Sequence, residues 1–159
     1  KENLDDIITV GDEELVVSFL DMVENHKMVV ENSGLLTVAA LKHLDVKNKK
    51  VVAILSGGNM DVITMSSVVQ QGLVLRDRIF SVSVLLPDKP GELSRVADVI
   101  AKQNGNVIKL EHNQFVSINR NAEVELRITM EAFGTEHKNQ IISSLQQNGY
   151  QPKLIRASI

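Results

Sequence analysis

Two short stretches of this chain set glycine and polar groups where a small charged ligand can be held. Asp88-Lys89-Pro90-Gly91-Glu92-Leu93 joins the end of an alternating apolar pattern to the start of a helical one. Proline and glycine turn the chain sharply there, and glycine leaves its backbone open to close approach. A helix beginning at that point offers unpaired N–H groups and the positive end of its dipole, which suits the carboxylate of an amino acid. Asn106, just after that helix, is expected either to face the same region or to cap the helix end. The second stretch, Ser56-Gly57-Gly58-Asn59, follows the apolar run Val51-Val52-Ala53-Ile54-Leu55. Open α/β sheets commonly place ligands at such strand ends, and a serine hydroxyl there can pair with a ligand heteroatom. Both stretches also satisfy a purely structural reading, as tight strand–helix turns. Neither G-x-G-x-x-G nor Gly-Lys-Ser/Thr occurs at Ser56–Asn59, so a dinucleotide or Walker loop is excluded.

The elements that must position these stretches follow from periodicity. Phe80, Val82 and Val84 alternate with Ser81 and Ser83, as in a half-buried strand. Leu93, Val96, Ala97, Ile100 and Ala101 then recur at helical spacing, predicting a stripe against a core. The C-terminal rhythm is strand (78–87), helix (91–103), strand (106–114), strand (122–131), helix (135–148) and strand (150–156). That order is ferredoxin-like, an antiparallel sheet with two helices on one face. Before it, Ile7–Val10 reads as a short strand and Asp12 as the cap of a helix carrying Leu15, Val16, Phe19, Leu20 and Val23. A second helix is predicted over 34–43, a buried parallel strand over 51–55, and a third helix over 61–71 with Gly72 as its C-cap. Residues 72–78 read as the join between two units.

Composition bounds the function. The chain has 159 residues, 43% of them hydrophobic, and a formal net charge of −3, as in an ordinary globular protein. Through Arg76 there are 7 basic and 11 acidic residues, a balance of −4; after it there are 10 and 9, a balance of +1. Neither half concentrates the positive charge that nucleic-acid binding needs. With no cysteine, disulfides and thiol chemistry are out and a cytoplasmic setting is expected. No apolar run approaches a membrane span. The terminus Lys1-Glu2-Asn3-Leu4 lacks an initiator methionine, as expected of a chain that begins mid-protein and equally of an engineered or processed terminus. His26, His43, His112 and His137 have no metal-ligand spacing, and no catalytic Ser/His/Asp or Cys/His set can be assembled. An RNA-recognition module shares the strand–helix order, but Val124–Met130 carries no aromatic residue for base stacking.

Residues 76–159 resemble an ACT domain, the small regulatory module of amino-acid-metabolising enzymes. Asp88–Leu93 matches its D-x-P-G-x-L signature, and Asn106-Val107 matches the N-I/V opening its second strand. Residues 1–75 resemble the end of the catalytic domain of threonine dehydratases (threonine ammonia-lyases), an α/β segment of the pyridoxal-phosphate fold type II. There Ser56-Gly57-Gly58-Asn59-Met60-Asp61 matches S-G-G-N-x-D, and Glu31-Asn32-Ser33-Gly34 is similar to E-x-[AS]-G. The resemblance implies conversion of L-threonine to 2-oxobutanoate and ammonia, in isoleucine biosynthesis or threonine catabolism, with pyridoxal phosphate as cofactor. It implies that Ser56 hydrogen-bonds the pyridine nitrogen, with Gly57 and Glu31 beside the ring. A neutral hydroxyl there leaves the ring nitrogen largely unprotonated and favours β-elimination.

For the ACT unit the resemblance implies an amino-acid effector, isoleucine or valine, held between paired copies near Asp88, Gly91, Glu92, Leu93, Asn106 and Val107. The family's Schiff-base lysine and phosphate loop are not recognisable, so the chain is not expected to catalyse alone. Glu111-His112-Asn113-Gln114 stands where family members often carry His-x-Arg, and Gln114 does not supply that charge. The alternative is a structural dimerisation module without effector binding.

Overall fold

A computed structural model describes residues 5–113 and 123–157, and the chain divides into two compact units, Lys1–Leu75 and Arg76–Ile159. In the first unit, helix α1 (Asp12–Asp21) is capped by Gly11, not Asp12. The Glu14 carboxylate accepts the Gly11 N–H at 2.8 Å, and Asp12, Glu13 and Glu14 fill the turn where the helix dipole favours acid. A π-helical turn, Met22–His26, extends α1 and ends at Lys27 in the left-handed conformation. The helix predicted over 34–43 forms in three pieces: a 3₁₀ turn (Asn32–Leu35), α2 (Leu36–Ala40) and a second 3₁₀ turn (Leu41–His43). Leu15, Val16, Phe19, Met22, Leu35, Ala39 and Val68 of helix α3 (Val62–Leu75) make the core.

Three expectations for this unit are corrected. Gly72 is not a C-cap; it lies inside α3, where a Cβ would meet Leu20 at 3.3 Å and Val16 at 3.5 Å, so its bareness lets α1 and α3 approach. Ile7–Val10 and Val51–Leu55 form no strand. Ile7 is 78% exposed, Val52 89% and Ile54 74%. A strand exists only where a second strand takes its backbone groups; among the described residues no strand pairs with either run, and the Ile54 C=O accepts the Thr37 hydroxyl at 2.9 Å instead.

The second unit forms the expected βαββαβ order: β1 (Ile79–Pro87), α4 (Glu92–Lys102), β2 (Asn106–Asn113), β3 (Glu123–Glu131), α5 (Thr135–Gln147) and β4 (Lys153–Ile155). The sheet order is β2-β3-β1-β4, with every neighbouring pair antiparallel. Phe80, Val82, Val84 and Leu86 of β1 and Val124, Leu126, Ile128 and Met130 of β3 share a core with Val96, Val99 and Ile100 of α4 and Ile141 and Leu145 of α5. The stripe on α4 is narrower than predicted, because Leu93, Ala97 and Ala101 turn off this core and are exposed. β4 starts later than expected: Pro152 has no N–H to give a ladder. Both α4 and α5 end in reciprocal C-terminal bonds, Gly105 N–H to Ile100 C=O at 3.1 Å and Tyr150 N–H to Leu145 C=O at 3.1 Å.

On the face away from the helices, polar residues satisfy one another. Ser81 and Thr129 hydroxyls pair at 2.7 Å, and Glu125 accepts from Ser83 at 2.5 Å and from Arg127 Nε at 3.0 Å. The Ser83 bond, with Arg127, outweighs burial and holds the Glu125 carboxyl below its ordinary range.

Candidate functional site

The turn from β1 into α4 builds a cavity of about 310 Å³, lined by Leu86, Pro87, all of 88–93, His112, Val124 and Leu126. That volume is at the small end of ligand pockets, which run from about 300 to 1,000 Å³. Gly91 is the N-cap of α4 with φ +92°, a conformation that favours glycine. A Cβ there would meet nothing within 4 Å, so the requirement at Gly91 is backbone direction, with open space above it. Gly91 brings no capping side chain; the Glu92 N–H turns back to the Lys89 C=O at 3.4 Å, while no side chain caps the N–H groups of Leu93 and Ser94. Glu92 is tied to Arg95 at 3.0 Å on the exposed flank of the helix. Leu86, Val124 and Leu126 give the cavity an apolar floor.

Asn106 and Val107 are not part of this cavity. Asn106 opposes Glu131 and donates to its carboxylate at 2.7 Å, whereas the 88–93 loop leaves the sheet at Pro87, opposite Glu123. The two therefore sit at opposite ends of the sheet in one copy, roughly 25 Å apart by strand rise. Val107 opposes Met130 and packs on the core. Gln114 lies outside the described residues. His112, Leu86, Val124 and Leu126 were absent from the site read in sequence. The floor residues follow from period two, but His112 depends on a β-bulge between Val107 and Lys109 that sequence spacing does not show.

In the first unit, the residues singled out for a cofactor do come together. Glu31 takes an N–H from Asn59 at 3.2 Å and the Ser33 hydroxyl at 2.7 Å on its carboxylate, while its own N–H donates to Gly57 C=O at 3.3 Å. Gly57 has φ +81°, and a Cβ there would run into the Glu31 carboxylate. A Cβ on Gly34 would run into the Ser56 carbonyl oxygen. Both glycines are thus required for the shelf formed by 31–34 and 56–59. Ser56 is exposed, and no group among the described residues bonds its hydroxyl. Asp61 closes the shelf by capping α3, accepting the Thr64 hydroxyl at 2.5 Å and the Thr64 N–H at 2.9 Å, which hold its carboxyl below its ordinary range. Among the described residues no cluster of three or more ligating side chains could hold a metal ion, and no helix is long and apolar enough to cross a membrane.

No family model matches the chain. An L-threonine ammonia-lyase of Geobacter sulfurreducens is 36% identical over 152 residues, covering 94% of this chain. One of Thermotoga maritima is 30% identical over 156 residues, covering 98% of this chain and hence both the shelf and the cavity. The chain belongs to the threonine ammonia-lyase family. It spans 38% and 39% of the length of those two relatives. Among solved structures, this threonine ammonia-lyase segment is similar to prephenate dehydratase from Streptococcus mutans, with TM-score 0.41 and 21% identity over 48% of this chain and 40% of that one. A putative glycine cleavage system transcriptional repressor gives TM-score 0.38 and 16% identity over 51% of this chain and 46% of that one.

Proposed function

We propose that this chain is the C-terminal regulatory part of an L-threonine dehydratase and that its ACT unit senses an amino acid in the 88–93 cavity. The observation that carries the reading is the cavity itself: a helix start without a side-chain cap and Asp88 in its lining, over a floor of Leu86, Val124 and Leu126. A zwitterion with a branched aliphatic side chain, isoleucine or valine, matches both parts. Its carboxylate meets the N–H groups of α4, its ammonium meets Asp88, and its side chain covers the floor. Binding acts on the enzyme by favouring one of two assemblies, since a ligand shifts only what it binds differentially.

Pairing of copies is supported by β2. It is a sheet edge with Ile108 41% and Leu110 40% exposed, and the bare apolar flank of α4 (Leu93, Ala97, Ala101) lies away from the polar flank of Arg95, Asp98 and Lys102. Millimolar isoleucine or valine is expected to raise the melting temperature of the chain. A flat response to all twenty amino acids overturns sensing. The distant position of Asn106 favours a second reading, dimerisation without an effector, which predicts a stable dimer in sedimentation and no heat on titration with amino acids.

The shelf fits one side of pyridoxal phosphate: Ser56 has a free hydroxyl beside a glycine backbone braced by Glu31. When bound, the cofactor supplies the electron sink for eliminating the threonine hydroxyl. Ser56 would hold the ring nitrogen by a neutral hydrogen bond, Gly57 would let the ring approach, and Glu31 would keep Asn59 and Gly57 in place. With no recognisable Schiff-base lysine, the chain alone is proposed to be inactive. A stoichiometric cofactor absorbance on adding pyridoxal phosphate would contradict this. A cytoplasmic setting is proposed separately, from its cysteine-free composition.

A further inference from the structure

We infer that His112 is the end wall of the side-chain compartment in the 88–93 cavity and sets the length of the amino-acid side chain admitted there; this rests on the amino-acid reading above. In the sheet register His112 opposes Leu126, and Leu126 opposes Val84 on the far side. Leu86, beside the loop, opposes Val124. Floor and wall therefore run in one direction: from the loop on β1, across Val124 and Leu126 on β3, to His112 on β2. Neighbouring strands are about 4.8 Å apart, so the compartment between loop and His112 spans about two such steps. An amino acid anchored at the loop lies over β3 with its side-chain end toward the imidazole.

His112 points into this space only because of the bulge. Val107 opposes Met130 on the core face, Ile108 is left over, and Lys109 opposes Thr129 on the other face. Counting on by twos, Leu110 and His112 return to the helix side, while Lys109 and Glu111 stay on the outer side, where they pair at 3.1 Å. Without the bulge the parity reverses, and Glu111 would stand where His112 is. A carboxylate wall would oppose an aliphatic side-chain end; the flat, amphipathic imidazole both covers it and limits its length.

The test is calorimetric titration of the 159-residue chain with L-valine, L-isoleucine, L-methionine and L-phenylalanine, repeated on His112→Ala and Glu111→Ala. The wild type is expected to favour valine and isoleucine. His112→Ala should raise the methionine-to-valine affinity ratio by about tenfold or more, the discrimination that one methylene supplies in an apolar pocket. Glu111→Ala, on the outer face, should leave the ratio within about twofold of the wild type. An unchanged ratio in His112→Ala, or an equal shift in Glu111→Ala, overturns the inference while leaving amino-acid sensing in place. Absence of binding by all four in the wild type overturns the amino-acid reading and this inference with it.

Discussion

The shelf at 31–34 and 56–59 and the cavity at 88–93 are both glycine turns ahead of a helix, yet they differ in what surrounds them. The cavity stands on a closed system: its floor residues, Leu86, Val124 and Leu126, belong to a core shared by three strands and two helices. The shelf is just as closely fitted, with a glutamate bridging two segments and glycines that admit no side chain. However, the apolar residues on either side of it are largely bare: Val52 and Ile54 before it and Val62 and Ile63 after it are each at least 74% exposed, and only Leu55 of the run packs on the core. A turn keeps its local geometry through its own hydrogen bonds; the apolar residues feeding it need partners from elsewhere.

That contrast is most easily broken in the cores. Ile128→Ala, fully buried in β3, is expected to lower unfolding stability by about 2–5 kcal/mol in chemical denaturation. Ile54→Ser removes an isoleucine from the bare run and is expected to change it by no more than about 0.5 kcal/mol. A large loss from Ile54→Ser would mean that the run is buried in this chain after all.

Glycine substitutions sharpen the comparison at smaller cost. Gly34→Ala must push a Cβ into the Ser56 carbonyl, and overpacking of this kind costs about 1–3 kcal/mol. Gly91→Ala has open space and should cost only the left-handed backbone penalty of about 1–2 kcal/mol. Local hydrogen exchange at 56–59 separates the two, because only Gly34→Ala should loosen that segment.

The smallest effect is that of pH on the outer face of the second unit. The Glu125 carboxyl titrates below its ordinary value of 4.5 in the folded chain, so its contribution is present above that value and is lost as pH falls through the folded one. Glu125→Gln is expected to flatten the acid limb of the stability profile, with the gap to wild type closing once Glu125 is protonated. A gap that persists unchanged at low pH would place the effect in packing instead.

Much of the second unit was legible because each element meets its sequence rule within itself. Phe80 to Val84 alternate, Asn104-Gly105 and Asn148-Gly149 stop the helices, and Pro-Gly marks the turn between patterns. What was not legible depends on pairing. Val51–Leu55 reads as a buried strand from its residues, but a strand needs a neighbour. Asn106 follows α4 in sequence, yet the antiparallel register carries it to the far end of the sheet from the loop. One bulged residue, Ile108, reverses the parity of β2 and brings His112 into the cavity. Gly72 illustrates an ambiguity of residue type, since glycine serves a helix end and a close helix contact equally well.

The most direct test of the central claim is hydrogen exchange of the whole chain with and without millimolar L-isoleucine. Amino-acid sensing at the cavity predicts new protection at 91–94 and 110–113, with 56–59 unchanged. No change at any amide, or protection confined to 56–59, would contradict it.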